Sequence, residues 1–228
     1  MLLDNREDSS SRQVAVAGRN PLLRDLLGEI FAEWGFSLVA VDRNPEVIFV
    51  EYGLPEPAGA SRIIWLTPLP RDDGASLLVP LSLTRLYHLL ESELYPSPRR
   101  HIRTGINLSV ELKLDGRWYQ GRLISLSDRG GRLVFEQTLP SRQELTLEIR
   151  LGRQLLRQPC TVLYSIPAGD TPGRQQPQLG LLFKPVTTET CQTIRQYIEH
   201  LCLERALSRL GLDPQHPVTS WFDLGGTP

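Results

Sequence analysis

Ile106-Asn107-Leu108-Ser109-Val110-Glu111-Leu112-Lys113-Leu114-Asp115-Gly116 is the stretch that decides the fold. Apolar side chains take every second position and polar ones the positions between, the period of a strand with one buried face. Asp115-Gly116 then reads as a hairpin turn. The alternation returns at Leu145, Leu147, Ile149 and Leu151 before Gly152, and Val162–Ile166 and Leu179–Phe183 add two further strands. Hairpin strands at this spacing predict a small antiparallel barrel.

Downstream the period lengthens. Thr187 or Thr188 is placed to cap a helix, with Glu189 in its first turn. Cys191, Ile194, Ile198, Leu201 and Arg205 follow one stripe, with Leu203, Leu207 and Leu210 beside it, and Gly211 and Pro214 stop the helix. One small barrel needs less cover than this, so the second half of the helix is expected to serve self-association. Residues 213–228 are rich in Pro and Gly yet carry Trp221 and Phe222; docking and simple disorder both fit.

Upstream, Tyr95-Pro96-Ser97-Pro98 reads as a linker, because each proline restrains the residue before it. Before it the pattern is that of alternating strands and helices. Val14–Ala17 is a buried strand, and Asn20-Pro21 opens a helix carrying Leu22, Leu23, Leu26, Leu27, Ile30, Phe31 and Trp34 to Gly35. Short apolar runs follow at Ser37–Val41, Val47–Val50, Ile63–Leu66 and Leu77–Val79, then a helix over Leu83, Leu86, Leu90 and Leu94. This order predicts a small parallel α/β unit. The fold class expected is therefore α/β plus all-β.

Composition narrows the classes of function. A hydrophobic fraction of 40% with 22% charged residues is that of a globular protein. No apolar run approaches the roughly 20 residues that span a bilayer, so no membrane insertion is expected. The N-terminus lacks a basic start and apolar stretch, and the opening through Ser9–Ser11 reads as a disordered lead. Three cysteines without CxxC or zinc spacing suggest a reducing, cytoplasmic setting. A formal net charge of −1 gives no global field for a nucleic acid polymer. Lys113 and Lys184 are the only lysines; all other basic residues are arginine, which suits flat or bidentate partners. None of His88, His101, His200 and His216 is placed by sequence near Cys160 or a candidate serine nucleophile, and HExxH, GxSxG, P-loop and dinucleotide fingerprints are absent. Asp72-Asp73 reads as solvated rather than metal-binding. No enzyme is expected.

The polar feature that stands out is Arg99-Arg100-His101-Ile102-Arg103, followed by Ser125-Leu126-Ser127-Asp128-Arg129-Gly130. Two arginines four apart form a clamp for a flat acidic ligand, and the second stretch offers hydroxyls and a turn. This pair resembles the RxxxR and D/NxSxxG signature of PilZ domains, over roughly residues 96–203. The resemblance implies that Arg99, Arg103 and the helper Arg100 bind cyclic di-GMP, together with Ser125, Ser127 and Gly130. Ser125 departs from the pattern by standing where the family has Asp or Asn. Losing one charge-assisted contact costs about 1.5–3 kcal/mol, or ten- to a hundredfold in affinity. Asp128 is expected to lie one residue off the ligand-facing positions.

Residues 13–95 resemble a shortened response-regulator receiver domain. Gly18-Arg19 stands where the family has its acidic pair, and Glu51 takes the place of the phosphorylated Asp. Thr67 is retained, and Val79 replaces the conserved Lys. Mg²⁺ needs carboxylate oxygens that Gly18-Arg19 cannot supply, so a phosphorylation-incompetent pseudo-receiver is expected. Arg19 paired with Glu51, or both left as solvated charges, are the two readings of that site. The expected organisation is a lead at 1–12, the receiver-like domain at 13–95, a PilZ domain with linker and helix at 96–212, and a tail at 213–228. The expected function is a cyclic di-GMP-responsive adaptor that changes its interdomain arrangement and acts on motility, attachment or polysaccharide output through a protein partner. The competing expectation is a PilZ/pseudo-receiver scaffold that works by protein–protein interaction without nucleotide.

Overall fold

The computed structural model describes residues 12–57, 62–71, 75–169 and 175–224. Asp72-Asp73 and most of the N-terminal lead lie outside them. The described residues divide into two compact units: 12–100 with 200–224, and His101–Glu199.

The first unit holds β1 (Gln13–Ala17), α1 (Pro21–Glu33), β2 (Ser37–Leu38), β3 (Val47–Glu51), β4 (Ile63–Thr67), β5 (Ala75–Leu78) and α2 (Leu83–Leu94). All strand pairs are parallel, in the order β2-β1-β3-β4-β5. Val14 and Ala15 in β1, and Phe49 and Val50 in β3, are completely buried, as strands covered on both faces require. The Asn20 side chain accepts from the N–H groups of Leu22 and Leu23 at 3.0 and 3.3 Å, Pro21 stands at the first helical position, and Gly35 leaves the helix at φ +85°. The strand expected at Ser37–Val41 closes after two residues. Val41–Arg43 instead forms a 3-10 turn that ends on Asn44 at φ 56°. Such a turn removes these residues from the ladder with β1.

Residues after 200 complete this unit. Leu203, Ala206 and Leu207 are buried, while Arg205 meets Glu33 at 2.6 Å and Arg209 meets Glu33 at 2.7 Å and Glu29 at 3.6 Å. The second half of the long helix therefore has cover within one chain, and its length no longer requires self-association. The tail docks as well: a 3-10 helix at Pro217–Trp221 buries Val218 and leads to buried Phe222. Leu81 donates to the Trp221 carbonyl at 2.7 Å and accepts from Asp223 at 2.9 Å. Disorder is thus overturned for residues 213–224.

The second unit is a closed antiparallel barrel of β6 (Arg103–Leu114), β7 (Arg117–Ser127), β8 (Gly130–Val134), β9 (Glu144–Leu151), β10 (Gln154–Ile166) and β11 (Gln178–Phe183), ordered β10-β11-β8-β7-β6-β9. Ile106, Val110, Leu112 and Leu114 face its core. Asp115 at φ 49° and Gly116 at φ 80° make the expected hairpin turn. Strand β7 carries no clean alternation, because its register with β8 shifts between Leu123 and Ser125 and so spaces the core residues Leu123 and Leu126 three apart. Helix α3 (Thr188–Arg209) is capped by Thr187, whose hydroxyl accepts from the Thr190 N–H at 3.1 Å.

Burial also fixes a pH response. The Cys160 thiol is pushed up from 9.0 to about 12 by desolvation, partly offset by a hydrogen bond from Leu147. The Tyr87 phenol is likewise raised from 10.0 to about 12, mainly by burial, with the Glu91 charge adding and Arg99 opposing. Above pH 9 the unfolded chain binds fewer protons than the folded one, so stability falls as pH rises towards 12. Urea midpoints measured from about pH 8 to about pH 11 should decline, with Cys160→Ala giving a shallower slope.

Candidate functional site

Strand register assembles the polar face. Arg103 lies opposite Ser127 and Gly105 opposite Ser125 across β6 and β7. Across β7 and β8, Ser127 faces Gly130 and Ser125 faces Arg132, and β11 continues the rows with Leu182 and Gly180. Directly opposed residues share a face, and Thr104 and Leu126 between them are buried. Arg103, Ser125 and Arg132 therefore lie on the outer side of the barrel, in the same rows as Ser127 and Gly130, which are themselves buried.

The β7–β8 connection is a two-residue turn, Asp128-Arg129. The Ser127 hydroxyl donates to the Gly130 carbonyl at 3.1 Å and accepts from the Arg129 N–H at 3.4 Å, closing the turn. Gly130 lies beyond it as the first residue of β8. A Cβ there would sit 2.0 Å from the Leu181 carbonyl oxygen, so close strand approach demands glycine. Gly131 is constrained in the same way, 2.6 Å from the Ser125 carbonyl oxygen.

Asp128 is buried. Its side chain is 1% exposed, with Oδ2 2.5 Å from Nε of Arg195 and Oδ1 2.8 Å from Nδ1 of His101. Oδ1 and Nδ1 are both buried and their approach lies outside hydrogen-bond geometry, so the His101 contact is a close polar approach and the Arg195 contact is the hydrogen-bonded one. One carboxylate thus ties the β7–β8 turn to α3 and to the middle of the arginine cluster. Periodicity carries no sign of this, because Arg195 is 67 residues away in sequence.

The arginine cluster is divided between the units, with Arg99 and Arg100 in the first and Arg103 in the second. Arg100 is exposed. The Arg99 N–H donates to Oε2 of Glu91 at 2.8 Å, and its guanidinium acts on the Tyr87 phenol beside that carboxylate. Glu91 is only 1% exposed, which makes it an unusually buried anchor for the start of the motif. Arg132 carries no signature in the sequence; its Nε is buried without a hydrogen-bond partner.

In the first unit, Arg19 does meet Glu51, but through its backbone N–H at 2.7 Å, while its guanidinium donates to the Gly53 carbonyl at 2.8 Å. The contact is neither the side-chain pair nor the free charges expected. No group of three or more His, Cys, Asp or Glu among the described residues is arranged to hold a metal ion, and no helix among them is long and apolar enough to cross a membrane. Cys160, buried and with its thiol pushed up to about 12, is far from nucleophilic.

Comparison with known proteins identifies the barrel. Residues 97–200 match the PilZ domain model, so the chain carries a PilZ domain. No curated protein matches its sequence. Among solved structures it is similar to the Bacillus subtilis inhibitor of motility MotI/DgrA, at 19% identity over 50% of this chain and 53% of that one, with a TM-score of 0.42. It is also similar to Escherichia coli YcgR in complex with c-di-GMP, at 19% identity over 50% of this chain and 49% of that one, TM-score 0.41. The K. pneumonia MrkH–c-di-GMP complex follows at 17% identity over 47% and 54%, TM-score 0.41. The chain spans about half the length of these structures.

Asp128 is the residue on which the turn's placement rests. Asp128→Ala should lower stability by about 1–2 kcal/mol by removing the carboxylate that joins the turn to Arg195 and His101. Equilibrium urea unfolding checks this, with an altered midpoint and an unchanged m-value expected.

Proposed function

We propose that this protein is a cyclic di-GMP receptor and signalling adaptor. The observation that carries the reading is the barrel register, which sets Arg103, Ser125, Ser127 and Gly130 in adjacent cross-strand rows. Guanidinium planes stack on guanines and fork onto phosphates, and the ligand's two negative charges favour a site rich in arginine. Arg99, Arg100 and Arg103 would clamp the dinucleotide, with Ser125, Ser127 and Gly130 as the barrel side of the site. The c-di-GMP complexes of YcgR and MrkH support the choice of ligand.

The switch follows from where Arg99 starts. Without ligand it is held at Glu91 and Tyr87, whereas Arg103 is fixed on β6. A ligand that draws Arg99 towards Arg103 has to break the backbone hydrogen bond that Arg99 donates to Glu91. Binding then reorders the linker and changes the interdomain arrangement, which requires only a difference in affinity between two states. We take residues 13–95 as a phosphorylation-incompetent receiver-like domain and residues 96–212 as the PilZ domain with its linker and helix. Output on motility, attachment or polysaccharide, through a protein partner in the cytoplasm, completes the proposal. Self-association through α3 is the oligomeric alternative.

A ligand-blind scaffold is the second reading, favoured by Ser125 and by the commitment of the Ser127 hydroxyl to its own turn. Calorimetric titration with cyclic di-GMP separates the two. The receptor reading expects saturable binding that Arg99→Ala and Arg103→Ala each weaken by roughly ten- to a hundredfold, and that Ser125→Asp strengthens. Absence of binding at high micromolar ligand sinks it in favour of the scaffold.

The competition at Glu91 has its own signature. Glu91→Gln should bind the ligand several-fold more tightly, roughly 1 kcal/mol, because Arg99 is released more easily. The same titration reads it, and unchanged or weaker affinity in a folded variant would remove Glu91 from the switch.

A further inference from the structure

We propose that Arg132 supplies a third guanidinium to the ligand site, and that serine at position 125 is what leaves it available. The inference rests on the cyclic di-GMP reading above and assigns a barrel residue that the two-part motif omits. Arg132 stands directly opposite Ser125 on β7 and opposite Gly180 on β11. Beyond Ser125 in the same row comes Gly105, whose Cβ position has nothing within 4 Å. Beyond Gly180 comes Tyr164, whose ring covers that glycine so closely that a Cβ would sit 2.3 Å from it. The row thus holds a guanidinium among a serine, two glycines and a tyrosine, and none of these is a carboxylate.

Arg132 is half-buried and its Nε is buried without a hydrogen-bond partner. A desolvated N–H on a charged group is costly to leave unmade. An acceptor brought by a ligand to this outer face would satisfy it. A guanidinium edge presents two parallel N–H groups and so selects a pair of acceptors side by side. Two phosphate oxygens fit that description, and so do O6 and N7 of guanine. Cyclic di-GMP offers both.

Position 125 then acquires a second meaning. A carboxylate there would face Arg132 across a strand pair, about 5 Å away at Cβ, and would hold it in a cross-strand ion pair. The serine hydroxyl cannot neutralise the guanidinium. Replacing the acid therefore removes one acceptor for the ligand and releases one donor to it.

The test is titration of cyclic di-GMP into the full chain and its variants, with folding checked by circular dichroism. Arg132→Ala should weaken binding about tenfold or more, and Arg132→Gln, which keeps most of the side-chain bulk if alanine disturbs the barrel, should do the same. In a Ser125→Asp background the loss on removing Arg132 should shrink to a few-fold, since the new carboxylate competes for the guanidinium. Repeating the titrations at two ionic strengths separates the two acceptor sources. A phosphate contact predicts that Arg132→Ala also flattens the salt dependence, and a guanine-edge contact leaves that dependence unaltered. Wild-type affinity in a folded Arg132→Gln variant overturns this inference and leaves the receptor reading standing. No binding by the wild-type chain overturns both.

Discussion

A carboxylate with 1% exposure cannot sit in a barrel wall unpaired, and Asp128 meets that requirement by holding Arg195 and His101 at once. Much of the candidate site depends on this. The Asp128-Arg129 turn sets how β8 returns beside β7, and that return places Gly130 opposite Ser127 and Arg132 opposite Ser125. The pairing with Arg195 anchors the turn to α3, and the contact with His101 anchors the chain just ahead of Arg103. Glycines at 130 and 131 then let the strands approach where any Cβ would meet a carbonyl oxygen.

The arginine cluster is better understood as two anchored ends than as a loose basic stretch. Its first residue is tied through the backbone to a buried glutamate on α2, and its last is a ladder residue of β6. A ligand that needs both has to alter the first tie, which is how binding free energy can be converted into a change of conformation. In the proposed site Ser125 offers one acceptor fewer than a carboxylate would, and the Arg132 guanidinium across the strand pair is the proposed compensation.

Most of the fold was legible. Asn20-Pro21 and Gly35 mark the ends of α1, the alternation over Ile106–Leu114 marks β6, and Asp115-Gly116 marks its turn. Strand β7 was not marked, because a bulge breaks its period and Gly121 and the polar residues near it obscure what remains. The first half of β10 carries no signal for a related reason: Leu155 is 54% exposed and the segment has no clean buried face. At the edge of the α/β sheet, Val41 carries a strand-like signal because an apolar residue reads the same in a ladder and in a 3-10 turn.

Local pattern by itself determined the fold class, the linker prolines and the arginine and serine motif, since caps, periods and turns depend on residues a few positions apart. Tertiary structure alone decided which polar atoms meet. Asp128 with Arg195, Arg99 with Glu91, Ser125 opposite Arg132, and Leu81 with the docked tail each join residues whose pairing leaves no trace in local periodicity. Charges and strand partners are chosen by burial and register, and both exist only once the chain has closed on itself.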